Sequence, residues 1–206
     1  MSLKDIALVR AYHDDRIQRF GTEASEALGW KNRESQQHRF EELAQIGDLR
    51  GRSVLDVGCG HGDLYPYLKQ RHGQLHYTGI DNVGAFLEVA VRRFGEETNT
   101  RFLLGEFGSQ QLPQTDFVIC CGALNYRNSD SDYLYRMIKR FFDATSIGLG
   151  LNLLKKVDFS AGILARFDPN QVADFCRRLT SRVEVRVDQD ENYFTLFLYR
   201  EGNPIA

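Results

Sequence analysis

A chain of 206 residues, 42% apolar and 26% charged, can bury the core of one α/β domain and has the composition of an ordinary soluble protein. A net charge of -2 lacks the basic footprint of a nucleic-acid binder, and no apolar run approaches the roughly 20 residues of a membrane span. Lys4 and Asp5 stand where a secretory signal would be apolar, and the four cysteines lack C-x-x-C spacing, so buried thiols in a cytoplasmic protein are expected.

In chain order, Leu3, Ile6, Ala7, Tyr12, Ile17 and Phe20 predict a helix over residues 3 to 20, broken by Gly21. A second helix is predicted from about Glu34 to Ile46, with Phe40, Leu43 and Ala44 apolar. Between them Trp30, the single tryptophan, reads as a core anchor. Residues 1–50 precede the first strand and are expected to form an N-terminal helical cap; residues 51–206 form the main domain.

The stretch Val54 to Leu64 organises the rest. Val54, Leu55 and Val57 read as a buried strand. Gly58, Gly60 and Gly62 follow on alternate positions, where the absence of Cβ permits a sharp turn and lets a ligand lie against bare backbone. From Asp63 a helical pattern runs to Gly73, with Leu64, Tyr67 and Leu68 on one face and Tyr65 facing the pocket. Strand, glycine turn and helix open a doubly wound sheet. The third glycine comes one residue early for a dinucleotide fingerprint, and Asp56 and Asp63 flank the loop. Carboxylates there oppose a pyrophosphate and disfavour an oxidoreductase; they suit a cationic, phosphate-free ligand.

The string Asp56-Val57-Gly58-Cys59-Gly60-His61-Gly62 resembles the first motif of the class I S-adenosylmethionine-dependent methyltransferases. That resemblance implies an α/β fold: a doubly wound, seven-stranded, mostly parallel sheet with a final antiparallel strand. It implies S-adenosylmethionine as cofactor and a cap that folds over it.

Leu75 to Ile80 reads as the second strand and delivers Asp81 about 20 residues after the glycine loop, where a ribose-binding acid belongs. Asn82 would lie beside it, near the adenine. Phe86, Leu87, Ala90, Val91 and Phe94 mark a helix. After the third strand, Arg101 to Leu104, Glu106 occupies the position of the family's adenine-binding acid, with Phe107 next to the base. The fourth strand, Asp116 to Gly122, is apolar on both faces. By the resemblance its carboxyl end, with Cys121, borders the transferred methyl group. The Asp/Asn-Pro-Pro-aromatic motif of exocyclic-amine methyltransferases is absent.

A helix with Tyr133, Leu134, Met137, Ile138, Phe141 and Phe142 is predicted after a cap region at Ser129-Asp130-Ser131. A fifth strand spans Ser146 to Leu154, and an irregular, substrate-covering segment Lys155 to Phe167. Asp168-Pro169 signals a helix start. Val183, Val185 and Val187 alternate as a half-exposed strand, and Tyr193 to Tyr199 pairs with it antiparallel across a turn at Asp188 to Asn192.

The cofactor-binding set is therefore Asp56, Gly58, Cys59, Gly60, Gly62, Asp81, Asn82, Glu106, Phe107 and Cys121. Arg16 and Arg33 could hold the cofactor's carboxylate. Methyl transfer needs alignment more than acid or base, so a catalytic residue is not fixed; Tyr12, His13, His61 and Tyr126 are the candidate bases. No metal is expected. The expected acceptor is a small molecule, with no nucleic-acid or membrane partner. The alternatives are a methyltransferase acting on RNA or protein and a non-catalytic binder of the cofactor.

Overall fold

The computed structural model describes residues 1–157, 162–189 and 191–202. Seven strands form one sheet in the order β3-β2-β1-β4-β5-β7-β6. They are β1 Ser53–Val57, β2 His76–Asp81, β3 Thr100–Leu104, β4 Thr115–Cys121, β5 Thr145–Leu154, β6 Val183–Arg186 and β7 Tyr193–Tyr199. Pairing is parallel from β3 through β5, and β7 runs antiparallel to both β5 and β6. The order reverses between β1 and β4, which opens a crevice at the carboxyl ends of those strands.

The helices are α1 Leu3–Phe20, α2 Arg33–Leu43, α3 Leu64–His72, α4 Gly84–Phe94, α5 Tyr133–Asp143 and α6 Pro169–Arg177. Strand alternation sends Leu55, Val57, Val118 and Cys120 to one face, where Met137, Ile138 and Phe141 of α5 and Val172 and Cys176 of α6 bury them. Val54, Phe117, Ile119 and Cys121 point to the other face, under Phe40 and Leu43 of α2 and Leu64 and Leu68 of α3. The apolar stripe of α5 and the alternation of β4 are thus two sides of one core. All four cysteines are buried and free.

The sheet and most helices follow the expected pattern, with local differences that have physical causes. Residues 25–28 form a 3-10 turn that helical periodicity does not reveal, because it is a single turn. Helix α2 ends at Leu43, not Ile46, since the chain turns there to enter β1. Val91 is half exposed on α4, and Val89 is buried in its place. Asp132, not Ser129-Asp130-Ser131, caps α5, and without a side-chain bond; Asp130 instead accepts from the Asp132 N–H and pairs with Arg136. Tyr65 faces the core, not a pocket: it stacks near Tyr77 and Phe94 and donates to Glu97. At the start of α6, Asp168 caps as expected, accepting from the N–H groups of Asn170 and Gln171. Of the segment Lys155 to Phe167, residues 158–161 lie outside the described residues, as does residue 190 in the last turn; Leu164 bridges to Tyr126.

Before the sheet, α1 packs against the 3-10 turn, and α2 lies on β4 and β5. The start of α1 is tied to the loop after β4. Asp5 accepts from the Ser129 hydroxyl at 2.7 Å and from the Ser129 N–H at 3.3 Å. Hydrogen bonds from Ser2 and Ser129 hold the Asp5 carboxyl down at about 2.

Candidate active site

A cavity of about 730 Å³ opens at the carboxyl edge of the sheet. Asp56, Gly58, Cys59, Gly60, Asp81 and Asn82 line one end, and Arg39, Asn192 and Tyr193 the other. Phe107, Cys121, Gly122 and Tyr126 also line it, and Tyr12, His13 and Arg16 of α1 wall its side.

The glycine loop turns sharply, as its three glycines lead one to expect. Gly58, Gly60 and Gly62 have φ of 74°, 54° and 72°, a region L side chains avoid. A Cβ on Gly58 would fall 2.2 Å from Ala123 Cβ, and one on Gly60 would fall 2.7 Å from Leu28 Cδ2. On Gly62 it would meet Phe102 and Phe94, so Gly62 sits behind the loop and is not part of the cavity wall. The missing side chains make room for protein neighbours as well. The loop meets the cavity through its main chain at Gly58, Cys59 and Gly60.

Asp81 ends β2 at 8% exposure. Its Oδ2 accepts from the Gly60 N–H at 2.8 Å and its Oδ1 from the Val83 N–H at 2.9 Å. Each carboxylate oxygen can accept twice, so both keep capacity toward the cavity. Burial raises its pKa, while those N–H groups work to lower it. Asp56 is equally buried and accepts from Tyr77 Oη at 2.5 Å; burial, with Asp81 nearby, lifts its pKa to about 7. Glu106 lies outside this cavity, in an adjoining groove of about 380 Å³ shared with Asn82 and Val83. There it accepts from Asn82 Nδ2 at 3.0 Å. Burial pushes the Cys121 thiol to about 12, too high for a nucleophile at neutral pH.

Three of the four candidate bases line the cavity. His13 Nδ1 lies 3.0 Å from the Ala27 carbonyl, which can only accept, so Nδ1 carries the proton and Nε2 accepts. Tyr126 Oη then donates to Nε2 at 2.9 Å. Burial lowers the His13 pKa and raises that of Tyr126, which keeps both neutral. Tyr12 stands edge-on to both. His61 is 1% exposed and faces away from the cavity, edge-on to Phe86, with no hydrogen-bond partner at Nε2.

Of the two arginines, Arg33 is exposed and outside the cavity wall. Arg16 lines it, but its guanidinium donates to the carbonyls of Glu26 and Trp30 and so anchors the 3-10 turn. The cation that periodicity left aside is Arg39. It is 8% exposed, on the buried face of α2 beside Gln36, Phe40 and Leu43. The sequence signal is weak, because α2 is polar along most of its length and buries Gln36 as well as Arg39 beside Phe40 and Leu43. Trp30 is partly exposed and lies against Arg39 at the cavity wall, so it is more than a core anchor.

A sheet with this order, with a glycine loop entering an acid-lined crevice, defines an α/β protein of the doubly wound class. Residues 54–145 match the family model described as a methyltransferase domain. The chain is 38% identical over 100 residues to a tRNA U34 carboxymethyltransferase of Photobacterium profundum, covering 46% of this chain and 30% of that protein. It therefore spans about a third of the length of that curated relative. A Mycobacterium tuberculosis protein named as a methyltransferase is 26% identical over 138 residues, 63% of this chain and 81% of that one. In fold, the chain is similar to magnesium protoporphyrin IX methyltransferase from Synechocystis PCC 6803, solved with bound S-adenosylmethionine. The TM-score is 0.71 at 19% identity, over 97% of this chain and 99% of that one. Residues 54–145 thus resemble a methyltransferase domain, and the whole chain has a fold similar to that of the class I, Rossmann-like, S-adenosylmethionine-dependent methyltransferases. Among the described residues no helix is long and apolar enough to cross a membrane.

Proposed function

We propose that this protein transfers a methyl group from S-adenosylmethionine to a small molecule held in the same cavity. The carrying observation is that one continuous cavity joins the acids at β1 and β2 to an aromatic, amide-rich end at β5 and β7. When bound, the cofactor supplies an electrophilic methyl on a sulfonium. The chain's own residues bind and orient. Asp81 is assigned to the ribose hydroxyls through its free lone pairs, and Asp56 to the cationic half of the cofactor. The glycine-loop main chain and Cys59 would flank the amino-acid half, Phe107 the base, and Asn82 with Glu106 the far edge of the adenine. Cys121 at the end of β4 borders the transfer locus, and α1 excludes water from it. For an acceptor that arrives protonated, Tyr126 is placed to take its proton while passing its own to His13 Nε2.

The fit of this cofactor rests on the donor set. A buried carboxylate with unused lone pairs and no cation suits vicinal hydroxyls, and a phosphate beside Asp56 and Asp81 would be repelled. Calorimetry with S-adenosylmethionine and S-adenosylhomocysteine tests the reading, followed by transfer of labelled methyl to metabolite and tRNA fractions. Label in the low-molecular-weight fraction supports it. Label in tRNA would favour the second reading, a methyltransferase acting on RNA, to which the name of the Photobacterium relative points.

A further inference from the structure

The β5–β7 side of the cavity holds a buried cation, Arg39, that has no ion-pair partner among the described residues. Arg39 Nη1 donates to Asn152 Oδ1 at 3.0 Å, and Nη2 to Asn192 Oδ1 at 3.4 Å. The guanidinium carbon lies 4.5 Å from the ring centre of Tyr193 and 5.1 Å from that of Trp30. No carboxylate of the described residues comes within ion-pair distance of it, although Glu42 and Glu191 are in its surroundings. Glu42 instead accepts from Thr195, which in turn accepts from Asn152 Nδ2 at 2.9 Å. Two neutral amide oxygens thus orient the guanidinium, and among the described residues three of its five N–H donors are unassigned. A buried charge held this way is costly unless a ligand completes it.

We infer that Arg39 is the anchor for a carboxylate on the methyl acceptor, and that the acceptor carries an aromatic or conjugated body packed against Trp30. The position selects the acceptor over the cofactor. Asn152 pairs in register with Cys121 across β4 and β5, and Tyr193 opens β7, whereas Asp81 lies on the opposite side of β1. A carboxylate meets the guanidinium plane through two parallel N–H bonds, which a neutral amide cannot match. The inference rests on the methyl-transfer reading for its acceptor, but the binding preference is measurable without turnover.

Trp30 is the single tryptophan and lies against Arg39 and near Gly122, so its fluorescence reports on the surroundings of Arg39 once the cofactor position is saturated. The test titrates the full chain, saturated with S-adenosylhomocysteine, with benzoate, cinnamate and indole-3-acetate against their primary amides, with inorganic phosphate as a separate arm. At least one acid is expected to bind about tenfold or more tighter than its amide, the ratio for losing a charged hydrogen bond. In Arg39→Gln that ratio should fall to about twofold or less, with S-adenosylhomocysteine affinity kept, and Arg39→Lys should retain part of it. Equal binding of every acid and amide would overturn the inference, as would phosphate outcompeting all the acids. So would loss of S-adenosylhomocysteine affinity in Arg39→Gln, which would give the guanidinium to the cofactor. Because the acid–amide comparison uses the unaltered chain, it stands even where a variant fails to fold. An unaltered chain that prefers acids yet ignores S-adenosylhomocysteine would keep the Arg39 assignment and end the methyl-transfer reading.

Discussion

The two ends of the cavity are built on opposite charges by the same means. At β1 and β2, Asp56 and Asp81 are buried and held by a phenol and by backbone N–H groups. At β5 and β7, Arg39 is buried and held by two amide oxygens. Neither end has a counter-ion among the described residues. The difference in sign, across the width of β4, is what the two proposed sites rest on, one for a cationic nucleoside and one for an anion. Polar but neutral supports keep each charge in place without satisfying it.

Four experiments would break or sharpen this contrast. The largest effect is expected from Asp56 across pH. Its folded-state value of about 7 lies above the usual carboxylate value near 4, so the folded chain keeps a proton that the unfolded chain has lost. Stability should therefore fall as pH rises from about 4 to 7, by up to about 4 kcal/mol as an order of magnitude. Asp56→Asn should flatten this dependence; urea titrations at pH 5 and pH 8 measure it, and parallel curves for the two proteins would refute it. The next effect is on binding. Asp81→Ala should weaken S-adenosylhomocysteine by about 2–3 kcal/mol, roughly 30- to 150-fold, with the fold retained. Calorimetry giving unchanged affinity would remove the ribose assignment.

Gly60→Ala should cost about 1–3 kcal/mol through its positive φ and the clash with Leu28. Adding Leu28→Ala should return part of that loss in thermal melts, whereas a ligand-facing glycine would show no such rescue. The smallest effect should come from Tyr126→Phe, which leaves His13 Nε2 without its donor. Cofactor affinity should stay within about twofold while methyl transfer slows by about tenfold or more, at the low end for a lost proton-transfer group. Equal loss of both would make Tyr126 a structural support only.

Much of the scaffold is legible in the residues because its signals are local. The apolar run before Gly58, the Asp168-Pro169 cap and the stripe of α5 each lie within a dozen residues, and Asp81 follows from strand spacing. What escaped depends on contacts far apart in the chain. Leu28 dictates glycine at position 60 from the cap, and Arg39 meets Asn152 and Asn192 from two other elements. His61 has the chemistry of a base but turns inward against Phe86, and nothing within the loop distinguishes that orientation. The glycine motif carries the expected sharp turn, and its bare backbone also accommodates Leu28 and Ala123, which the motif alone does not reveal.

Helix α1 and the loop after β4 are joined twice, by Asp5 to Ser129 and by His13 to Tyr126. Anything that swings α1 outward to admit a nucleoside must also unseat the phenol beside the transfer locus. An outward swing of α1 and the use of Tyr126 with His13 as a proton relay would therefore exclude one another in time.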